Sequence, residues 1–481
     1  MLFNSVQFLV FFPIVFVIYW FVVNKKLKIQ NLFLLIASYY FYAQWDWRFL
    51  FLLMFSTLLD FTSGIQMEKS KTKSQKKFWF WLCVIINVGF LGVFKYYDFF
   101  AQSFADILNS IGFKVSPILL KVILPVGISF YTFHGLSYVI DIYKDRIKAE
   151  RNFVEYALFV SFFPLLVAGP IERATHLLPQ VKKKRVFNYN QSIDGLRQIL
   201  WGLFKKIVIA DNCAVAVEDI FHNYQHYSSI VLILGAVLFA IQIYCDFSGY
   251  SDIALGTARL LGFELLQNFS FPYFSRDIAE FWRRWHISLT TWFRDYLYIP
   301  LGGSKGGVWM KIRNTFIIFL VSGFWHGANW TFIIWGALNA LFFIPLLLNN
   351  RNRTHLDTVA QNAILPSFKE LFQMLLTFVL VTIGWIFFRA KNVAQAIKYY
   401  QRIFSNQDHL SFSFNTFDII KNVAPMIVVL IIFEWWNRRE RFGLQRIIVC
   451  PFYVRWAIYY ALIFCINYYG GKSGSFIYFQ F

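Results

Sequence analysis

Long apolar segments recur along the whole chain and limit the folds open to it. A helix that crosses a membrane needs roughly 20 mostly apolar residues, because the bilayer core offers no water to its backbone hydrogen-bonding groups. About a dozen segments approach that length and composition, at residues 6–23, 31–45, 49–66, 78–97, 118–142, 153–169, 228–245, 312–325, 330–349, 371–388, 423–436 and 453–468. The sequence therefore predicts an all-α, polytopic integral membrane protein, with about a dozen transmembrane or re-entrant helices around a central cavity.

The composition excludes both a water-soluble protein and a disordered one. Hydrophobic residues make up 58% of the 481 residues and charged residues 15%, so a water-exposed surface would be one large apolar patch. Disorder requires low hydrophobicity. Aromatic residues reach 21%, which suits a membrane protein because Tyr and Trp rings settle at the level of the lipid headgroups.

The basic residues lie mainly in the connections between apolar segments. The net charge of +20 would favour a nucleic-acid partner in a soluble protein. Here Lys and Arg cluster at 25–28, 69–77 and 144–151, which indicates cytoplasmic loops in contact with anionic membrane lipid and no nucleic acid. Successive loops should alternate between the two sides of the membrane, and the basic run 182–185 would then fall on the side opposite the cytoplasm. We therefore expect segment 153–169 to be re-entrant.

The sequence contains none of the common motifs for binding cofactors or metals or for a serine nucleophile. No GxGxxG, P-loop, HExxH or GxSxG pattern is present. The five cysteines form no CxxC pair and predict no disulfide framework. We therefore expect no bound cofactor and no metal site.

Two stretches differ in kind from the apolar segments. Residues 193–221 and 270–311 combine many charged side chains with large aromatic and aliphatic ones. Such a mixture is tolerated at membrane depth only where it is buried in protein or lines a cavity. We interpret the second stretch as the wall of an internal site.

His326 lies between two apolar segments, in the sequence VSGFWHGANW. An ionisable residue in such a place is a candidate functional residue, and a neutral imidazole is a competent general base. Gly323 and Gly327 would allow a second helix or a narrow substrate to approach closely. A core histidine bonded to a backbone carbonyl is the alternative reading.

His286 ends the sequence FWRRWH. On a helix, Trp282, Trp285 and His286 would share one face, because they are three and four residues apart. Arg283 and Arg284 would then point elsewhere. An interfacial helix with a basic, lipid-facing side is the alternative.

Two carboxylates, Asp246 and Asp252, lie in the sequence YCDFSGYSD. They could orient a histidine or an arginine, or act as an acid and base pair. Salt bridges to the arginines of 276–294 are the simpler interpretation.

Several motifs resemble those of the membrane-bound O-acyltransferase family, most of all its AlgI-like branch of bacterial polysaccharide O-acetyltransferases. The matching sequences are MLFNSVQFLVFFP at the start, LPVGISFYTFHGLSYVIDIY at 124–143, AGPIERATHLLPQ at 168–180, GLFKKIVIADN at 202–212, QIYCDFSGYSDIALG at 242–256, NFSFPYFSRDIAEFWRRWHISLTTWFRDYLYIPLGG at 268–303, SGFWHGANWTFIIWG at 322–336, GWIFFRA at 384–390 and FIYFQF at 476–481. His326 matches the active-site histidine of the family and His286 the second motif position. The DYLYIPLGG at 295–303 favours the O-acetyl branch over the D-alanyl branch.

The resemblance implies an acyltransferase that uses acetyl-CoA as its donor. His326 would be the general base or a transient acyl carrier, and His286 would stabilise the oxyanion. Supporting roles would fall to Trp325, Trp285, Asp246 and Asp252. Three arginines, Arg283, Arg284 and Arg294, would bind the phosphates of the donor at the cytoplasmic mouth.

The resemblance also implies a setting for the protein. We expect a multi-pass protein of the bacterial inner membrane, with one domain over 1–481 made of N-terminal helices (1–150), a catalytic core (151–345) and C-terminal helices (346–481). A periplasmic or extracellular esterase-like partner of the SGNH type would pass the acetyl group to a polysaccharide acceptor.

Other functions stay open at this point. The chain could transfer D-alanyl or another acyl group, or it could be a transporter or flippase with a non-catalytic cavity. A scaffold that only anchors the partner is a further alternative. The transporter reading would be supported by inverted repeats, and the sequence contains no recognisable repeat.

Overall fold

The computed structural model describes residues 1–167, 169–405, 414–470, 476 and 477. Within these ranges the fold is all-α, with no β-strand, as the sequence predicts. Only the first two residues of the motif at 476–481 fall within the described part of the chain.

The first nine helices come from the N-terminal part of the chain. They are α1 (Val6–Val17), α2 (Leu27–Asp46), α3 (Arg48–Lys69), α4 (Lys73–Leu91), α5 (Tyr97–Ser110), α6 (Ile128–Tyr143), α7 (Phe153–Ser161), α8 (Phe163–Leu166) and α9 (Ala174–Lys182). The remaining helices are α10 (Tyr189–Leu203), α11 (Asp211–His222), α12 (Ser229–Leu260), α13 (Ile278–Arg284), α14 (Ile287–Phe293), α15 (Val308–His326), α16 (Trp330–Leu348), α17 (Phe368–Arg389), α18 (Val393–Phe404), α19 (Phe414–Trp436) and α20 (Phe452–Tyr469).

Five helical segments among the described residues are long and apolar enough to cross a membrane. They are Arg48–Lys69, Lys73–Ser110, Ser229–Leu260, Trp330–Leu348 and Phe368–Arg389. The second of these is a continuous run of α4, a π-helical turn and α5. The chain is therefore polytopic, as predicted.

One predicted segment differs from the structure, and another is interrupted in the way expected of a re-entrant segment. Helix α6 begins only at Ile128, so the apolar residues 118–127 do not form the first half of a spanning helix. Segment 153–169 is broken at Phe162, whose backbone (φ −56°, ψ 115°) leaves the helical region and separates α7 from α8. Neither piece is long enough to span a bilayer, which agrees with a re-entrant segment.

The described chain divides into two compact units, Met1–Ser192 with Ala258–Leu266, and Ile193–Thr257 with Gln267–Phe481. In the first unit, α3 and α4 are joined by buried polar groups. The Asn87 amide donates to the Asp60 carboxylate over 2.7 Å, and the Ser56 hydroxyl donates to Asn87 over 2.6 Å. Such bonds satisfy polar atoms that would otherwise be unpaired in an apolar interior.

In the second unit, α15 and α16 form an antiparallel hairpin with their backbones in close contact. A Cβ atom on Gly323 would overlap the carbonyl oxygen of Phe332, and one on Gly336 would overlap the carbonyl oxygen of Phe319. Small residues permit this approach because they remove the side chain that would hold the helices apart. The hairpin carries His326 at the end of its first helix.

Candidate active site

A cavity of about 530 Å³ lies in the second unit. Its walls come from α13 to α16 and from the loop after α16, and both His286 and His326 line it. The volume falls within the range of small-molecule sites. The structure thus brings together two histidines that are 40 residues apart in the sequence.

His326 is the last residue of α15 rather than a mid-helix residue. The helix stops there because Gly327 adopts extended backbone (φ −170°, ψ 156°). The imidazole is 4% exposed, and its ring lies 5.2 Å from that of Trp335 and 5.3 Å from that of Phe388. The predicted close approach of a second helix is realised by α16, so His326 is held in a rigid aromatic setting.

His286 sits between two short helices, and the predicted continuous helical face over 282–286 is wrong. Helix α13 ends at Arg284, and His286 has left-handed backbone (φ 44°, ψ 53°) before α14 begins. Trp282 and Trp285 still line the cavity with His286. Arg283 lines it as well, although a continuous helix would have turned that side chain away.

The His286 ring is buried and held by aromatic contacts. It is 1% exposed and lies 4.7 Å from the Phe247 ring at 84°. Neither ring nitrogen has a hydrogen-bond partner among the described residues. Burial lowers the pKa of His286, which lies outside the five spanning helices, to about 3, because a charged imidazole would lose its hydration there. The ring is therefore neutral at physiological pH, with one N–H donor and one acceptor nitrogen.

Trp325 and Trp285 take different places around the histidines. The Trp325 ring contacts both imidazoles, at 5.9 Å from His286 and 4.9 Å from His326. Trp285 lines the cavity and packs 5.0 Å from the Trp385 ring behind it. These contacts form a stiff apolar wall next to the candidate catalytic groups.

Asp246 and Asp252 pair with lysines, not with the arginines of 276–294. The Asp246 carboxylate lies 2.6 Å from Lys206 Nζ, and the Asp252 carboxylate lies 2.7 Å from Lys205 Nζ. The hydrogen bonds described for the two carboxylates go to these lysines, to the Gln198 amide and to the backbone N–H of 477, and to neither histidine. Both carboxylates therefore belong to a buried ion-pair network. The adjacent lysines in GLFKKIVIADN were the sequence signal for it.

The three predicted donor-binding arginines separate into two groups. Arg283 and Arg294 line the cavity. Arg284 is not among the lining residues, and its guanidinium bonds to the Glu280 carboxylate over 2.9 Å. Arg353 also lines the cavity and was not predicted, although the basic run after segment 330–349 marks it in the sequence.

The contacts of Arg283 reach the end of the α15–α16 hairpin that lies opposite His326. The Arg283 guanidinium donates to the carbonyl oxygens of residues 352 and 355, in the loop that follows α16. Because α15 and α16 are antiparallel, the end of α16 lies beside the start of α15. Among the described residues, no group of three or more His, Cys, Asp or Glu side chains is placed to hold a metal ion.

The chain is similar to known acyltransferases over most of its length. The family model of the membrane-bound O-acyltransferases matches residues 144–383. The probable alginate O-acetylase AlgI of Pseudomonas putida is 38% identical, over 92% of this chain and 88% of the relative. The peptidoglycan O-acetyltransferase of Helicobacter pylori is 37% identical, over 83% of this chain and 79% of the relative. The teichoic acid D-alanyltransferase of Bacillus subtilis is 28% identical, over 45% of this chain and 57% of the relative.

Proposed function

This chain belongs to the membrane-bound O-acyltransferase family, and from that premise we propose that it transfers acetyl groups. The chain takes the acetyl group from acetyl-CoA on the cytoplasmic side of the bacterial inner membrane. It delivers the group for O-acetylation of an envelope or extracellular polysaccharide. The family and its relatives support acyl transfer as the reaction. The acetyl group and the polysaccharide come from what the relatives are named to act on. The assignment of acetyl-CoA as the donor is supported by the geometry of the cavity.

The single observation that carries the proposal is a cavity with two histidines and three arginines on its wall. Thr315, Ser322 and His326 line it along α15. Thr315 and His326 are separated by about 16 Å along the helix axis, given the rise of an α-helix. An extended phosphopantetheine arm has a similar reach. A thioester near His326 would therefore leave its phosphates toward the loop after α16, which Arg283 contacts.

In the proposed reaction, His326 accepts the proton of an acceptor hydroxyl whose oxygen attacks the thioester carbonyl carbon. The negative charge that develops on the carbonyl oxygen accepts a hydrogen bond from the neutral imidazole N–H of His286. Collapse of the tetrahedral intermediate breaks the carbon–sulfur bond and releases the CoA thiolate. Transient acylation of His326 is the second possible route, with the acyl group passed to the acceptor afterwards.

A cavity of about 530 Å³ is the size of a small-molecule site and much smaller than a polymer. This supports an acceptor that presents one hydroxyl at a time, on the polysaccharide or on an esterase-like partner outside the cytoplasm. If the esterase-like partner is the direct acceptor, we expect labelled acetate on a hydroxyl of that protein before it appears on the polymer.

The proposal is tested in inverted membrane vesicles supplied with radiolabelled acetyl-CoA. We expect base-labile acetate on the envelope polymer with the wild-type chain, and none in vesicles from a deletion strain. Label from a D-alanyl donor without label from acetyl-CoA would overturn the acetyl assignment. Label that persists when both histidines are replaced would favour a transporter or a scaffold.

Replacing Arg294 with alanine is expected to raise KM for acetyl-CoA about tenfold and to leave kcat within about twofold. A charge-assisted bond to a phosphate holds the donor equally in the ground and transition states, so its loss weakens binding alone. The measurement is initial transfer rate against acetyl-CoA concentration in vesicles. The matched control is Arg48→Ala, which removes an exposed arginine paired with Asp46 at 2.6 Å, in the first unit. An unchanged KM in Arg294→Ala would contradict the assignment of this arginine to the donor site.

A further inference from the structure

His286 forms a left-handed bend between α13 and α14. Left-handed backbone (φ 44°, ψ 53°) is uncommon for residues other than glycine, although asparagine, aspartate and histidine adopt it more readily than most. Such conformations persist only where surrounding contacts impose them.

A neighbouring segment pairs with the chain on both sides of Trp285 and His286. The backbone N–H of Ser270 donates to the carbonyl oxygen of Arg284 over 3.0 Å, and the backbone N–H of Ile287 donates to the carbonyl oxygen of Asn268 over 2.9 Å. These two bonds bracket the bend. They fix where α13 ends and where α14 begins.

The side chain of Asn268 extends the same clamp. Its Oδ1 accepts a hydrogen bond from the Ser288 hydroxyl over 2.6 Å, and its Nδ2 donates to the Ser251 hydroxyl of α12 over 3.3 Å. All three side chains are buried, with Asn268 1% exposed. In this dry setting, losing one partner leaves a buried polar atom unsatisfied.

Helix α12 thereby holds His286 in two ways. Ser251 bonds to the Asn268 clamp, and one turn earlier Phe247 packs against the His286 ring. Asn268 itself is not among the residues that line the cavity, so it would reach the reaction only through His286.

We propose that Asn268 is the positioning residue of His286, acting through the bonds of its side chain to Ser288 and Ser251. The inference rests on the proposed function, because its effect is read as acyl transfer. Asn268 fixes the direction of the imidazole N–H toward the developing oxyanion. A small misplacement of such a donor is costly to the chemical step and nearly irrelevant to donor binding.

A double-mutant cycle tests the proposal with radiolabelled acetyl-CoA in inverted vesicles. Asn268→Ala is expected to lower kcat at least about tenfold and to leave KM for acetyl-CoA within about twofold. In a His286→Ala background, the same replacement is expected to lower kcat no further, because the group it positions is already gone. Equal losses in both backgrounds, or an unchanged kcat, would overturn the proposal.

A milder variant covers the case in which Asn268→Ala does not fold. Ser288→Ala removes one bond of the clamp and is expected to lower kcat in the wild-type background but not in His286→Ala. Its matched control is Ser228→Ala, which removes a buried hydroxyl with no hydrogen-bond partner among the described residues and is expected to leave kcat unchanged. Wild-type vesicles that fail to transfer acetyl from acetyl-CoA would refute the proposed function. Wild-type transfer with equal losses from Ser288→Ala in both backgrounds would refute the positioning role alone.

Discussion

Replacing His326 with alanine is expected to reduce acetyl transfer at least about 100-fold, because general-base catalysis typically contributes that much or more. The imidazole lines the cavity, and its ring is enclosed by Trp335 and Phe388, so few other groups can reach the same point. The measurement is base-labile acetate on the envelope polysaccharide of a deletion strain that carries each variant, at matched membrane expression.

Two further variants separate loss of the base from loss of structure. His326→Gln retains a polar side chain of similar size but cannot act as a base near neutral pH, so it is expected to be as inactive as His326→Ala. His222→Ala removes an exposed histidine at the end of α11 and is expected to keep full activity. Normal acetate in His326→Ala would exclude the catalytic role and return the transporter and scaffold functions to consideration.

The second large effect is expected from Gly323→Ala, one turn before His326. The new Cβ atom would overlap the backbone carbonyl oxygen of Phe332, and a backbone atom of a packed helix cannot move aside as a flexible side chain can. Overpacking of this kind costs about 1–3 kcal/mol. We expect a lower unfolding midpoint in detergent, and reduced acetyl transfer because α15 carries the histidine.

Gly89→Ala is the matched control for this substitution. Gly89 lies on α4, another apolar helix, and a Cβ atom there would meet nothing within 4 Å. Alanine favours helix more than glycine does, so the midpoint should stay the same or rise slightly. Equal midpoints for Gly323→Ala and Gly89→Ala would contradict the close packing of α15 on α16.

The sequence predicted the two histidines by different routes. His326 stood out because an ionisable residue between apolar segments is expensive and hence a functional candidate. His286 was placed on a continuous helical face, but α13 ends two residues earlier. The spacing of residues within 282–286 cannot reveal where the helix ends. The backbone hydrogen bonds of Asn268 and Ser270 that bracket the bend come from a segment 14 to 19 residues earlier.

For the charged residues, too, the sequence predicted some features and the tertiary structure decided others. The mixed composition of 270–311 correctly predicted a cavity wall. The partners of Asp246 and Asp252 were expected among the arginines of 276–294, whereas the packing of α12 pairs them with Lys206 and Lys205. Arg284 was assigned to the donor, yet Glu280 one turn away already pairs with it.

The sequence by itself determined the class of this protein: apolar segments that must form helices in a membrane, motifs that place it in an acyltransferase family, and a histidine whose burial requires a reason. Only the tertiary structure decided which groups face one cavity. Hydrophobic patterning depends on neighbours along the chain. Contacts between residues far apart in sequence decide three other features: the shared cavity of His286 and His326, the lysine partners of the carboxylates, and the left-handed bend.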